Sequence, residues 1–216
     1  MRDDNWHSII FDFDGVVVES GDIKTKAFAD LYQSYGDAIV KEVVRYHKLN
    51  GGLSRYKKFQ YFQQHLLKKP PLTQSEEYKL GETFSKLVIN AVINCNPVPG
   101  AYKFIQIEAS RIPLFIASGT PETELNTIVT RRGLRPYFTE VRGSPKSKRN
   151  LIAEILSAYN LIPEHVLMIG DALIDYQSAK ANNVAFLGRV HVEDKNPFPK
   201  YVKTVPDLQS LLPQKR

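Results

Sequence analysis

The chain has 216 residues, 43% apolar and 24% charged, with 29 basic against 23 acidic side chains and a formal charge of +6. That is enough chain for one large domain or a core with a smaller insertion, in an ordinary balance for a folded globular protein. No apolar run approaches the roughly 20 residues of a membrane span, and the basic excess forms no long run or aromatic-interleaved motif of a nucleic-acid binder.

What remains of the charge is a mild bias towards small anionic ligands. Cys95 is the only cysteine, so no internal disulfide forms. The start, "MRDDNWHS", lacks the basic, apolar and small-residue regions of a secretory signal. Both points favour the cytoplasm.

In chain order, residues 7–13, "HSIIFDF", predict a first strand. From 22 to 95 no strand signal occurs, and the pattern predicts helices over 22–36, 37–50, 54–69 and 75–95. In the first of these Ala27, Phe28, Leu31, Tyr32 and Tyr35 share a face, and Gly36 ends it. This is an all-helical insertion at 19–95, between core segments 1–18 and 96–216. Its exits are "VVES" and "NPVPG", where two prolines stiffen the return and Gly100 eases a turn.

Four further strands are expected at 112–118, 137–143, 165–171 and 183–189, with helices at 121–133 and 148–160 between them. Leu125, Ile128 and Val129 share one helical face; Pro121 suits the first turn and Gly133 the end. Leu151, Ile152, Ile155, Leu156 and Tyr159 form the next stripe, and Asn160 suits a left-handed stop. Strands alternating with helices imply an α/β fold, a Rossmann-like parallel sheet carrying the inserted helical unit. Such sheets bind ligands outside the carboxyl ends of their strands.

That rule gives meaning to "IIFDFDGVVV". Two carboxylates, Asp12 and Asp14, interrupt a run made for burial, and an unpaired buried carboxylate is costly. At a strand end Asp12 can attack phosphorus as a nucleophile. Asp14 can protonate the leaving oxygen and then activate water. Two such carboxylates repel unless a cation lies between them; Mg²⁺ takes oxygen ligands and neutralises phosphate charge. In "FIASGTPE", the Ser118 hydroxyl and the N–H groups around Gly119 and Thr120 can hold an anion ahead of a helix. "GSPKSKRNLIAEIL" places lysine at a helix start, against the dipole, which a bound phosphoryl group would explain. Two candidates exist, Lys146 and Lys148. In "IGDALID", Asp171 ends a strand and can bind the metal, while Asp175, one turn on, can ligate through water or orient Lys148.

Taken in order, these stretches resemble the haloacid dehalogenase-like superfamily of phosphohydrolases over nearly the whole chain. The resemblance implies Asp12 as nucleophile, Asp14 as acid/base, Ser118 as phosphate ligand and Asp171 and Asp175 as the acidic pair. It also implies Mg²⁺ held by the Asp12 carboxylate, the Asp14 backbone carbonyl and Asp171, and its third motif suits Lys148 first and Lys146 second. The helical insertion is similar to the mobile cap of the phosphoglycolate phosphatase and β-phosphoglucomutase branch. "GGLSRY" looks like the cap loop that sets specificity, so Arg55 is expected to meet a substrate phosphate or carboxylate. Lys24 stands where the mutases carry histidine, which argues against a mutase and leaves a lysine for an anionic substrate. Asp14 argues against a true dehalogenase, which needs no acid to release halide. The expected activity is a Mg²⁺-dependent phosphatase on a small phosphorylated metabolite; the alternatives are a phosphomutase and a catalytically quiet binding module. Cys95 and Trp6 are expected to pack, and His7, His47, His65, His165 and His191 show no metal-ligand spacing.

Overall fold

A computed structural model describes residues 6–213. The acidic beginning of the chain at 1–5 lies outside the described residues. Among the described residues six strands form one parallel sheet in the order β3-β2-β1-β4-β5-β6. They are β1 (Ser8–Phe11), β2 (Leu114–Pro121), β3 (Glu140–Ser144), β4 (Val166–Gly170), β5 (Ala185–Arg189) and β6 (Thr204–Val205). β1 sits centrally between β2 and β4 and is buried throughout, which is why it reads as an unbroken apolar run. Its side chains alternate between two cores: Ile9 and Phe11 join the larger, Ile10 the smaller with Phe115 and Met168.

Among the described residues eight α-helices accompany the sheet: α1 (Gly21–Tyr32), α2 (Asp37–Leu49), α3 (Arg55–Tyr61), α4 (Gln74–Asn94), α5 (Ala101–Ala109), α6 (Glu122–Arg131), α7 (Lys148–Ala158) and α8 (Leu173–Ala181). α7 packs its Leu151, Ile152 and Ile155 into the smaller core. The four helices α1–α4 intervene in sequence between β1 and β2, as the pattern predicts, and pack through Phe28, Phe59, Phe62 and Phe84. Thr73 and Glu76 close a reciprocal cap at the start of α4. Cys95 caps the end of α4 and packs on the larger core, as does Trp6. Among the described residues no helix is long and apolar enough to cross a membrane.

Several expectations need correction. The expected helix 54–69 is α-helical only over Arg55–Tyr61 and widens to a π turn at Phe62–Leu66, before Lys68 turns left-handed. β2 runs on to Pro121, so that proline caps α6 rather than opening it. The other strands are shorter than their apolar runs. α5 and the two-residue β6 were not expected at all; a strand of two residues has no periodicity to read. Asn160 and Gly133 do take positive φ where they stop their helices.

Candidate active site

β1 and β4 are adjacent and parallel, so the residues after them emerge on one rim. Asp12 follows β1 and Asp171 follows β4. Carboxylate oxygens of Asp12, Asp171 and Asp175 all lie within 4.8 Å of one another. Asp12 is fully enclosed; its Oδ1 accepts from the Phe13 N–H at 2.7 Å and its Oδ2 lies 2.9 Å from Lys148 Nζ. Lys148 also pairs with Asp175 Oδ1, and the other oxygen of Asp175 accepts from the Ala172 N–H at 3.0 Å. Of the two uses read for Asp175, orienting Lys148 is thus visible in the contacts. Lys146 points elsewhere: it is exposed and bonds Glu154 at 2.6 Å.

One ammonium against three converging carboxylates leaves excess negative charge out of water. Burial pushes the Asp12 carboxyl up to about 7; Lys148 pulls it back, and Asp175 and Asp14 add to the rise. Burial, then Asp12 and Asp175, hold the Asp171 carboxyl well above its ordinary range. Burial alone would lower Lys148, but Asp12 and Asp175 hold its ammonium above the usual lysine range. An all-oxygen, over-charged cluster of this kind fits a hard metal cation. Gly15 makes the approach possible. Its φ is +74°, and a Cβ there would collide with the Asp171 carboxylate.

Asp14 faces the other way. Its Oδ1 accepts from Ser20 Oγ at 2.6 Å, and its Oδ2 from Thr120 Oγ1 at 2.8 Å and Lys24 Nζ at 2.5 Å. Burial would raise this carboxyl, but Lys24 and the hydroxyls outweigh it and hold it at about 2. Its carboxylate is not one of the three in the acidic cluster. Ser118 is buried, and its Oγ accepts from the Thr120 N–H at 3.1 Å, so that donor is engaged within the loop.

Asp12, Asp14 and Asp171 line a cavity between the sheet rim and the helical insertion, as do Lys24, Arg55, Gly119 and Thr120. The Gly52 carbonyl rests where a side chain on Gly119 would be, so the loop after α2 lies directly on the loop within β2. Arg55 does not project free into this space. Its guanidinium pairs with both oxygens of Glu124 on α6, at 2.9 and 2.5 Å, and donates to Ser85. Glu124, Lys58 and His47 were missed as site residues. Only Lys58 left a trace in the pattern, since Arg55, Lys58, Phe59 and Phe62 fall on one buried face.

The family model for haloacid dehalogenase-like hydrolase matches residues 9–189. The phosphorylated carbohydrates phosphatase of Thermotoga maritima is 25% identical over 193 residues, 85% of each chain. Among solved structures, β-phosphoglucomutase from Clostridium difficile aligns with a TM-score of 0.77 at 18% identity, over 96% of this chain and 93% of that one. CbbY from Rhodobacter sphaeroides, in complex with phosphate, gives 0.73 at 15% identity over 95% and 96%. The two structural likenesses speak for the fold, and the family match reaches from the first strand through the cluster of aspartates to the end of β5: this chain belongs to the haloacid dehalogenase-like hydrolase family.

Proposed function

We propose that the protein is a Mg²⁺-dependent phosphatase that hydrolyses a small phosphorylated metabolite through an aspartyl-phosphate on Asp12. The observation that carries this reading is the enclosed Asp12 carboxylate, on the rim shared by β1 and β4, beside Lys148 and Asp171. The likeness to a phosphatase of phosphorylated carbohydrates supports a sugar-phosphate type of substrate.

Asp12, Asp171 and the Asp14 backbone carbonyl would hold Mg²⁺, with Asp175 behind them. When bound, the ion offsets charge on the phosphoryl oxygens. An Asp12 oxygen attacks phosphorus, the ester P–O bond breaks, and the leaving alkoxide takes a proton from Asp14 Oδ2. Water then attacks the phosphorus of the aspartyl-phosphate and gives its proton to Asp14, freeing Asp12 and inorganic phosphate. Lys148 balances the carboxylates and the phosphoryl group, and Ser118 holds the loop that carries Gly119 and Thr120. Lys24 keeps Asp14 ionised, the form that accepts a proton from water; to serve the leaving group, Asp14 must part from Lys24 and first take a proton from solvent, which it then donates.

We further propose that residues 19–95 act as a cap over a core of 1–18 and 96–216, closing on substrate and excluding water. The Arg55–Glu124 pair crosses that division and would hold the cap shut. Phosphate release from a panel of sugar phosphates and p-nitrophenyl phosphate, with and without Mg²⁺, tests the reading. Asp12→Asn with undiminished turnover would sink it.

A further inference from the structure

The cations of this site differ in one respect. Lys148 has Asp12 and Asp175, Lys24 has Asp14, and Arg55 has Glu124. Among the described residues, Lys58 has no carboxylate within ion-pair reach. It lies on α3 at 3% exposure and lines the cavity, with Phe28, His47 and Phe84 on the same helical wall. Its ammonium meets His47 Nδ1 at 2.9 Å and sits 5.5 Å from the Phe28 ring centre.

A lysine in this position needs a reason. The site is walled by aromatic rings, where leucine or methionine would pack without cost, and a buried charge without a counter-charge is destabilising. Burial, then the nearby Lys24, pull Lys58 down to about 7, against a smaller opposing pull from Asp14 and Asp171, neither of them within ion-pair distance. Burial, then Lys58 and Lys24, pull His47 to about 3, so its ring stays neutral and accepts from Lys58 at Nδ1. An ammonium has three donors and His47 takes one. The others have no partner here but the cavity.

We propose that Lys58, positioned by His47, binds a second anionic group of the substrate, a carboxylate or a second phosphate, remote from the ester that Asp12 attacks. The substrate is then a phosphorylated sugar acid or a sugar bisphosphate rather than a neutral sugar monophosphate. This rests on the phosphatase reading for the other end of the molecule. It does not need Arg55, whose charge Glu124 already balances.

The test compares kcat/KM for 6-phosphogluconate, fructose 1,6-bisphosphate and glucose 6-phosphate. The wild-type protein is expected to favour one of the doubly anionic substrates over glucose 6-phosphate by about tenfold or more, the worth of one charge-assisted hydrogen bond. Preference for the gluconate identifies a carboxylate, and preference for the bisphosphate a phosphate. Lys58→Met should erase that ratio, chiefly through KM, and Lys58→Arg should keep most of it. Methionine suits the aromatic wall, and a melting curve confirms that the variant folds. Equal use of all three substrates by the wild-type protein, within about twofold, overturns the inference, as does a Lys58→Met that depresses all three alike. Calorimetry with the same ligands on Asp12→Asn protein reads binding without turnover. If no substrate is hydrolysed yet the Lys58-dependent binding difference persists, the phosphatase reading falls and the second-anion site stands; if hydrolysis occurs with no difference, the reverse holds.

Discussion

Lys148 and Lys58 are both buried lysines at the edge of one cavity, and their surroundings drive them in opposite directions. Lys148 stands between Asp12 and Asp175, and its charge is held more firmly than that of a lysine in water. Lys58 stands among aromatic rings with a neutral imidazole for company, and its charge is held less firmly. Burial disfavours the ammonium in both places; only counter-charge distinguishes them. One wall is therefore electrostatically complete as far as its lysine goes and over-supplied with carboxylate. The other is short of an anion. A substrate with phosphate at one end and a second negative group at the other would relieve the second deficit, as a metal cation would relieve the first.

The largest effect expected from breaking this arrangement is chemical. Asp12→Asn removes the nucleophile while keeping shape, and should lower phosphate release by about 10³-fold or more, read in a steady-state assay with Mg²⁺. Next comes the acidic wall without its lysine. Lys148→Met leaves Asp12 and Asp175 buried without their cation and should cost about 3–5 kcal/mol in urea unfolding. Raising Mg²⁺ should recover part of that loss, because a second cation meets the same carboxylates. The matching change on the other wall should go the opposite way. Lys58→Met removes a charge that has no counter-charge, and should leave stability unchanged or raise it by about 1 kcal/mol. If it costs as much as Lys148→Met, the contrast between the walls is wrong.

The last effect is a pH slope. The folded His47 is held at about 3, whereas the unfolded ring titrates near 6.5. Between those values the unfolded chain binds more protons, so this contribution to stability is whole above about pH 6.5 and declines as pH falls towards 3. His47→Gln keeps an acceptor for Lys58 and removes the titration. Its melting temperature should therefore fall less than that of the wild type between about pH 7.5 and 5.5, measured by thermal unfolding.

The comparison also sorts what could be read along the chain from what could not. "IIFDFDG" and "MIGDALID" are legible because carboxylates interrupt runs whose burial is obvious, and a parallel sheet sends both strand ends to one rim. The choice between Lys146 and Lys148 depended on a helix boundary. α7 begins at Lys148, which turns that side chain inward and leaves Lys146 on the surface with Glu154. Arg55 was read from a loop motif, yet its guanidinium is taken up by Glu124, 69 positions along the chain on another helix. Lys58 and His47 look in sequence like a surface lysine and an isolated histidine. They meet because α2 and α3 both pack on Phe28. β6 escaped notice because two residues carry no pattern, and its form comes from pairing with β5.

By itself the sequence determined the alternation of strands and helices, the helical insertion after β1 and the aspartates at the strand ends, because periodicity and the cost of burying charge are local properties. Only the tertiary structure decided which lysine meets Asp12, that Arg55 is already neutralised, and that Lys58 stands without an anion. Those outcomes depend on distances between residues far apart in the chain, and a Coulombic partner is defined by distance rather than by sequence order.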